Sequence, residues 1–181
     1  MQTKHRLESE SYWFRLYVHA SHSEYIEVAG MKLAASACTG IFQAGNGSTE
    51  IAKCGLFRHP TALLPVVINE AVGLMRASAI AEQKTLNVFV LNSEPSKYLS
   101  YAKRWRVGEY SPKSRAHEAE QDWVDLLEHV DANAVKFEFN ITEKSFEFPT
   151  VLSTNRSISK RVAQFPPRKT QRAYAASELS Q

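Results

Sequence analysis

The sequence predicts an α/β protein, a mixed five-stranded sheet with helices on both faces. Three observations carry this reading. Trp13 to Phe57 holds three runs of strand composition with a hairpin signal between the last two. Beyond them, apolar residues at helical spacing alternate with short strand-like runs. Leu86 to Leu91 is an apolar run of the kind found in a strand buried on both faces. Strands joined by hairpins, then strands joined through helices, give the order β-β-β-α-β-α-α-β-α and a mixed sheet with helices packed on it. No internal repeat interrupts that order.

Met1 to Ser11 is a polar arm. Trp13 to His19 is aromatic and β-branched, the composition of a strand. Met31 to Ala44 is the second strand. Gly45-Asn46-Gly47-Ser48 follows, and Asn46-Gly47 predicts a two-residue hairpin loop. Thr49 to Phe57 then returns beside it, placing Cys38 next to Cys54 across the ladder as two small reduced core residues. Thr61 to Pro65 is a helix entrance. Val66 to Gln83 carries Val67, Ala71, Leu74, Met75 and Ala81 at helical spacing, one long helix. Ser96 to Lys103 is a short helix, and Gly108 to Lys113 a loop. His117 to Val130 is a helix with Trp123, Leu126, Leu127 and Val130 on one side. Ala134 to Ile141 alternates as a strand should. Asn155 to Gln164 is the final helix, stopped by Pro166-Pro167, and the tail from Arg168 is expected to be disordered. The expected organisation is an arm over 1–11, one domain over 12–164 and a basic, flexible tail over 165–181.

Composition excludes several classes. The chain has 181 residues, 44% apolar and 23% charged, ordinary for one globular domain. No apolar run reaches the roughly 18 residues of a transmembrane helix, and the first residues have no signal-peptide core, so no membrane partner is expected. Two cysteines are too few for a disulfide scaffold, which fits an intracellular setting, cytoplasmic or nuclear. The net charge of +3 is a weak nucleic-acid signal. Its distribution says more. Lys103, Arg104, Arg106, Lys113 and Arg115 cluster around Trp105. Arg156, Lys160, Arg161, Arg168, Lys169 and Arg172 form a second cluster. A basic stripe can track phosphates, although charge runs are often no more than solvated faces.

Four places resemble the ribonuclease H family. Leu16-Tyr17-Val18-His19-Ala20-Ser21 is similar to that family's opening strand, which ends in Asp-Gly-Ser. The start of the family's first helix, with its catalytic Glu, is matched by Asn69-Glu70-Ala71-Val72-Gly73-Leu74. Val88-Phe89-Val90-Leu91-Asn92-Ser93 is similar to the fourth strand, which ends in Asp-Ser. Trp105 and the stretch Lys103 to Arg115 resemble the basic protrusion with which some members hold a hybrid duplex, so Lys103, Arg104, Trp105, Arg106, Lys113 and Arg115 are the candidate nucleic-acid contacts. The helix and strand that follow, Asp122 to Leu127 and Val135 to Phe139, match in order. The resemblance spans roughly residues 13 to 164 and implies that family's fold.

The departures bear on activity. Family members hold two divalent ions with four carboxylates, because hard cations want anionic oxygen and two ions activate water and stabilise the leaving oxygen. Here the first position is His19 and the third is Asn92. The final helix from Thr154 has no acidic residue, and Ser159 or Lys160 falls at the fourth position. Only Glu70 remains. One carboxylate is a poor holder of two Mg²⁺ ions, so the two-metal site is read as degenerate, with no resident cofactor. Mg²⁺ or Mn²⁺ would enter only if the chain were a divergent nuclease.

Other chemistry is weaker. His19 and His22 have the H-x-x-H form with Glu24 near, but no third ligand has clear metal spacing. Gly40 to Gly47 is no phosphate-binding loop. Three functions remain open: a degenerate ribonuclease H-like module that binds nucleic acid (RNA, DNA or hybrid) or serves structurally in a larger nucleic-acid-processing assembly, a divergent metal-dependent nuclease, and a protein-interaction domain on the same fold.

Overall fold

The computed structural model describes residues 13–45, 47–77, 84–91, 94–108, 118–132, 135–141, 147–167 and 173–180. The elements are β1 (Trp13–Val28), β2 (Met31–Ala44), β3 (Gly47–Phe57), a 3-10 turn (Pro60–Leu63), α1 (Leu64–Ala77), β4 (Lys84–Val90), α2 (Glu94–Arg106), α3 (Glu120–Ala132), β5 (Val135–Ile141), α4 (Phe148–Gln164), β6 (Tyr174–Ala175) and a 3-10 turn (Ala176–Ser180). The sheet order is β5-β4-β1-β2-β3-β6. β1, β2 and β3 form an antiparallel meander, while β4 runs parallel to β1 and β5 parallel to β4. This is the predicted mixed sheet, extended at the β3 edge by the short β6.

Alternation along the strands sorts side chains to two faces. Phe14, Leu16, Val18 and Ala20 of β1, with Cys38 and Phe42 of β2, meet α1, α2 and α3 in the larger core. On the opposite face, Leu33, Ala35 and Ala37 of β2 and Cys54 and Leu56 of β3 meet Ile158 and Val162 of α4, and Tyr17 meets Phe148 and Val151. Helices therefore cover both faces. The close seat of α1 depends on Gly40. A Cβ there would stand 2.8 Å from Val67 Cγ1 and 2.9 Å from Leu16 Cδ1.

Several elements run longer than the sequence indicated. β1 continues to Val28 and turns into β2 through Ala29 and Gly30, both with positive φ, as a tight hairpin demands. A register shift between His22 and Tyr25 re-aims the outer half, so that Ile26 and Val28 join the α4 face. α4 begins at Phe148 because Phe148 and Val151 bury against the Tyr17 side of the sheet, with a proline in its first turn.

Two expectations need correction. The β2–β3 hairpin closes at Ala44↔Gly47, so its loop is Gly45 and position 46, one residue earlier than Asn46-Gly47. Gly45 supplies the positive φ (58°) at the first loop position, and Asn46 lies outside the described residues. Cys54 consequently pairs with Ala37 and Cys38 with Lys53. The cysteines are on adjacent strands, but they bury, unpaired, on opposite faces of the sheet. The tail, expected to be disordered, returns to the sheet as β6 because Tyr174, Ala176 and Leu179 give it apolar side chains to set against the α4-side core.

Candidate functional site

His19 stands on β1 just past Tyr17, where the described pairing with β4 ends. It faces Thr39 across the ladder, and strand alternation directs it to the α4 side. Asn155 Nδ2 donates to the His19 carbonyl at 2.7 Å. Asn155 and Thr39 are fully buried, and Asn155 Oδ1 and Thr39 Oγ1 have no hydrogen-bond partner among the described residues. Burial holds the His19 imidazole below its ordinary pKa, so it is neutral at physiological pH.

The α4 side chain hydrogen-bonded to β1 at His19 is thus Asn155, while the residues expected there were Ser159 or Lys160. Ser159 is buried and its hydroxyl donates to the Arg156 carbonyl within the helix, while Lys160 is exposed. The signal was present in the sequence as an amide inside the apolar stripe Val151, Asn155, Ile158, Val162. A helix read from Asn155 omits Val151 and puts the amide at its first position, where it does not stand out as part of an apolar stripe.

Glu70 projects from α1 on the other side of the sheet. Lys53 Nζ of β3 lies 2.8 Å from its carboxylate, and the Glu70 side chain keeps 45% of its exposure. The sheet therefore separates His19 from Glu70. Asn92 lies outside the described residues. Among the described residues the donor chemistry does not suit two divalent ions: the Glu70 carboxylate lies beside an ammonium, and the groups beside the His19 imidazole are an amide and a hydroxyl. No group of three or more His, Cys, Asp or Glu side chains is placed to hold a metal among the described residues. The H-x-x-H pair does not converge either, because residues three apart on a strand point to opposite faces. His22 is exposed and its ring packs on Tyr25.

The basic segment divides into a buried and an exposed part. α2 runs to Arg106, and Tyr98, Ala102 and Trp105 form its buried stripe. Trp105 is 7% exposed and its ring lies tilted against Tyr101, so it is a core residue, which corrects its reading as a nucleic-acid contact. Lys103 and Arg104 are exposed. Arg106 is exposed but bridged to Asp131 of α3. Lys113 and Arg115 lie outside the described residues. A groove of about 460 Å³ beside Trp105 is lined by Arg106, Glu118, Glu120 and Glu128, among others, and its negative lining does not suit a phosphate. On the opposite face of the sheet, Arg156, Lys160 and Arg161 are exposed on α4, a helix without any acidic residue.

A β1–β3 meander, β4 and β5 running parallel beyond β1, three helices on one face and a last helix on the other define a ribonuclease H-like fold. Solved structures agree at the level of the fold. LC9-RNase H1, described as a type 1 RNase H with the type 2 active-site motif, superposes with a TM-score of 0.57 at 9% identity, over 94% of this chain and 81% of that one. LC11-RNase H1, solved in complex with an RNA/DNA hybrid, gives 0.52 at 8% identity over 80% and 96%. The prototype foamy virus protease-reverse transcriptase gives 0.56 at 7% identity over 84% of this chain, which spans 21% of that longer protein. No protein-family model and no curated protein sequence matches the chain.

Proposed function

We propose that this chain is a catalytically degenerate ribonuclease H-like module that binds nucleic acid within a larger nucleic-acid-processing assembly. The observation that carries the reading is the Lys53–Glu70 pair. The one carboxylate of the expected set has an internal cation beside it, which offsets part of the charge that would attract Mg²⁺ or Mn²⁺. The phosphate contacts are assigned to the exposed cations Lys103 and Arg104 on α2 and Arg156 and Lys160 on α4. Structural neighbours solved with an RNA/DNA hybrid or with double-stranded DNA support a nucleic-acid partner. The proposed setting is intracellular, cytoplasmic or nuclear, which two buried unpaired thiols suit.

The test is binding and cleavage of labelled DNA, RNA and hybrid duplexes with Mg²⁺ and Mn²⁺ at two salt concentrations. Salt-sensitive binding without cleavage, unaltered in Glu70→Ala, is the expected result. Cleavage abolished by Glu70→Ala would establish a divergent nuclease instead. Absence of binding at both salt concentrations would favour a protein-interaction domain.

A further inference from the structure

β3 is an eleven-residue strand, yet β6 pairs with its outer edge only at Lys53 and Cys54. Among the described residues the rest of that edge has no strand partner, and Gly47 to Glu50 are exposed. An edge of this kind is a template for another strand. The cover over its middle is thin. Tyr174, Ala176 and Leu179 rest, partly buried, on the α4-side core. Glu178 accepts a hydrogen bond from the Ala175 amide and so fixes the turn after β6. The Cys54 thiol donates to the Tyr174 carbonyl at 3.5 Å.

We propose that Ala173–Ser180 is a displaceable strap, and that the β3 edge beneath it is a docking site for an extended strand of a partner protein. The strap shows what the edge accepts: an antiparallel strand whose apolar side chains reach the core beside α4. A partner strand pairing along more of β3 makes more ladder hydrogen bonds than the two-residue β6 and displaces it. Local openings of this sort cost less than global unfolding. The inference stands apart from the nucleic-acid reading.

The two cysteines supply the test, because they bury on opposite faces. Cys54 lies under the strap, where burial and then the Glu178 carboxylate push its thiol up to about 11. Cys38 lies in the larger core away from it. The full chain is treated with a maleimide and the modified sites are resolved by mass spectrometry. Cys54 is expected to react at least about tenfold faster than Cys38, since only Cys54 is released by local opening. Tyr174→Ala with Leu179→Ser should raise the Cys54 rate and leave the Cys38 rate unchanged. A free peptide spanning residues 173–180 should then slow Cys54 labelling of that variant, which shows the edge accepting a strand from another molecule. Equal rates at both thiols in parent and variant would mean that the segment leaves only on unfolding, and would overturn the strap. A saturating peptide without effect on the variant would overturn the docking site.

Discussion

His19 carries the consequence of its burial into the pH dependence of stability. Its folded pKa lies below the unfolded value of 6.5 because burial disfavours the imidazolium. The unfolded chain therefore takes up a proton before the folded one does. The stability associated with neutral His19 is fully present above pH 6.5 and is lost as pH falls toward and through the folded value. Asp122 has the opposite sign and a lower window. Burial, then Asp125, raises its carboxyl from 3.8, so its relief comes as pH falls. We expect the parent's melting temperature to drop between pH 7 and pH 5, and to drop less in His19→Gln. Parallel melting curves for the two proteins across that range would show that His19 does not titrate with folding. At Glu70 the energetics are modest. A pair with 45% exposure on one side is worth about 1 kcal/mol or less, so Lys53 matters for the charge it compensates more than for stability.

The seat of α1 on the sheet belongs to the scale of elements. Gly40 sits in the middle of β2, opposite Val18 on one side and Ile51 on the other, beneath Val67. Leu16 and Val67 are both fully buried, and Val67 is β-branched and stiff at χ1, so neither yields cheaply to a new methyl group. Gly40→Ala is expected to cost about 1–3 kcal/mol through overpacking, which urea unfolding would measure. A variant as stable as the parent would mean that α1 shifts freely. The same scale explains the reassignment of Trp105. A helix ended at Lys103 leaves Trp105 outside it, among surface cations. Read as the last turn of α2, Lys103 to Arg106 buries Trp105 beside Tyr101 and leaves the cations at the surface.

For the whole molecule, the distribution of charge over two faces is the governing fact. α2 packs on the same side of the sheet as α1 and α3, and α4 packs on the other. Of the two basic clusters, the described cations Lys103 and Arg104 on α2 and Arg156, Lys160 and Arg161 on α4 lie on opposite sides of the sheet. Lys103→Ala with Arg104→Ala, and Arg156→Ala with Lys160→Ala, should each flatten the salt dependence of nucleic-acid affinity by up to about two units, at about 0.9 per phosphate contact. Pairs on opposite faces of the sheet should act independently, so the quadruple variant should show the sum. A quadruple variant that binds with the parent's slope at every salt concentration would remove both faces from the interface.

Local pattern determined the order of strands and helices, the fold class and the two buried cysteines. Those features follow from side-chain periodicity, which is a property of neighbours in the chain. Tertiary structure alone decided three things. The hairpin register was fixed by which glycine takes the positive φ, and Gly45, Asn46 and Gly47 all suited that turn. The reach of β6 was decided by an apolar surface assembled from β1, β2, β3 and α4, which no stretch of the tail reveals. The candidate site was decided by contacts between residues distant in sequence: Asn155 with His19, and Lys53 with Glu70. The family resemblance named His19 and Glu70. It was silent on their partners, because which side chain fills a site depends on how helices and strands from different parts of the chain are packed together.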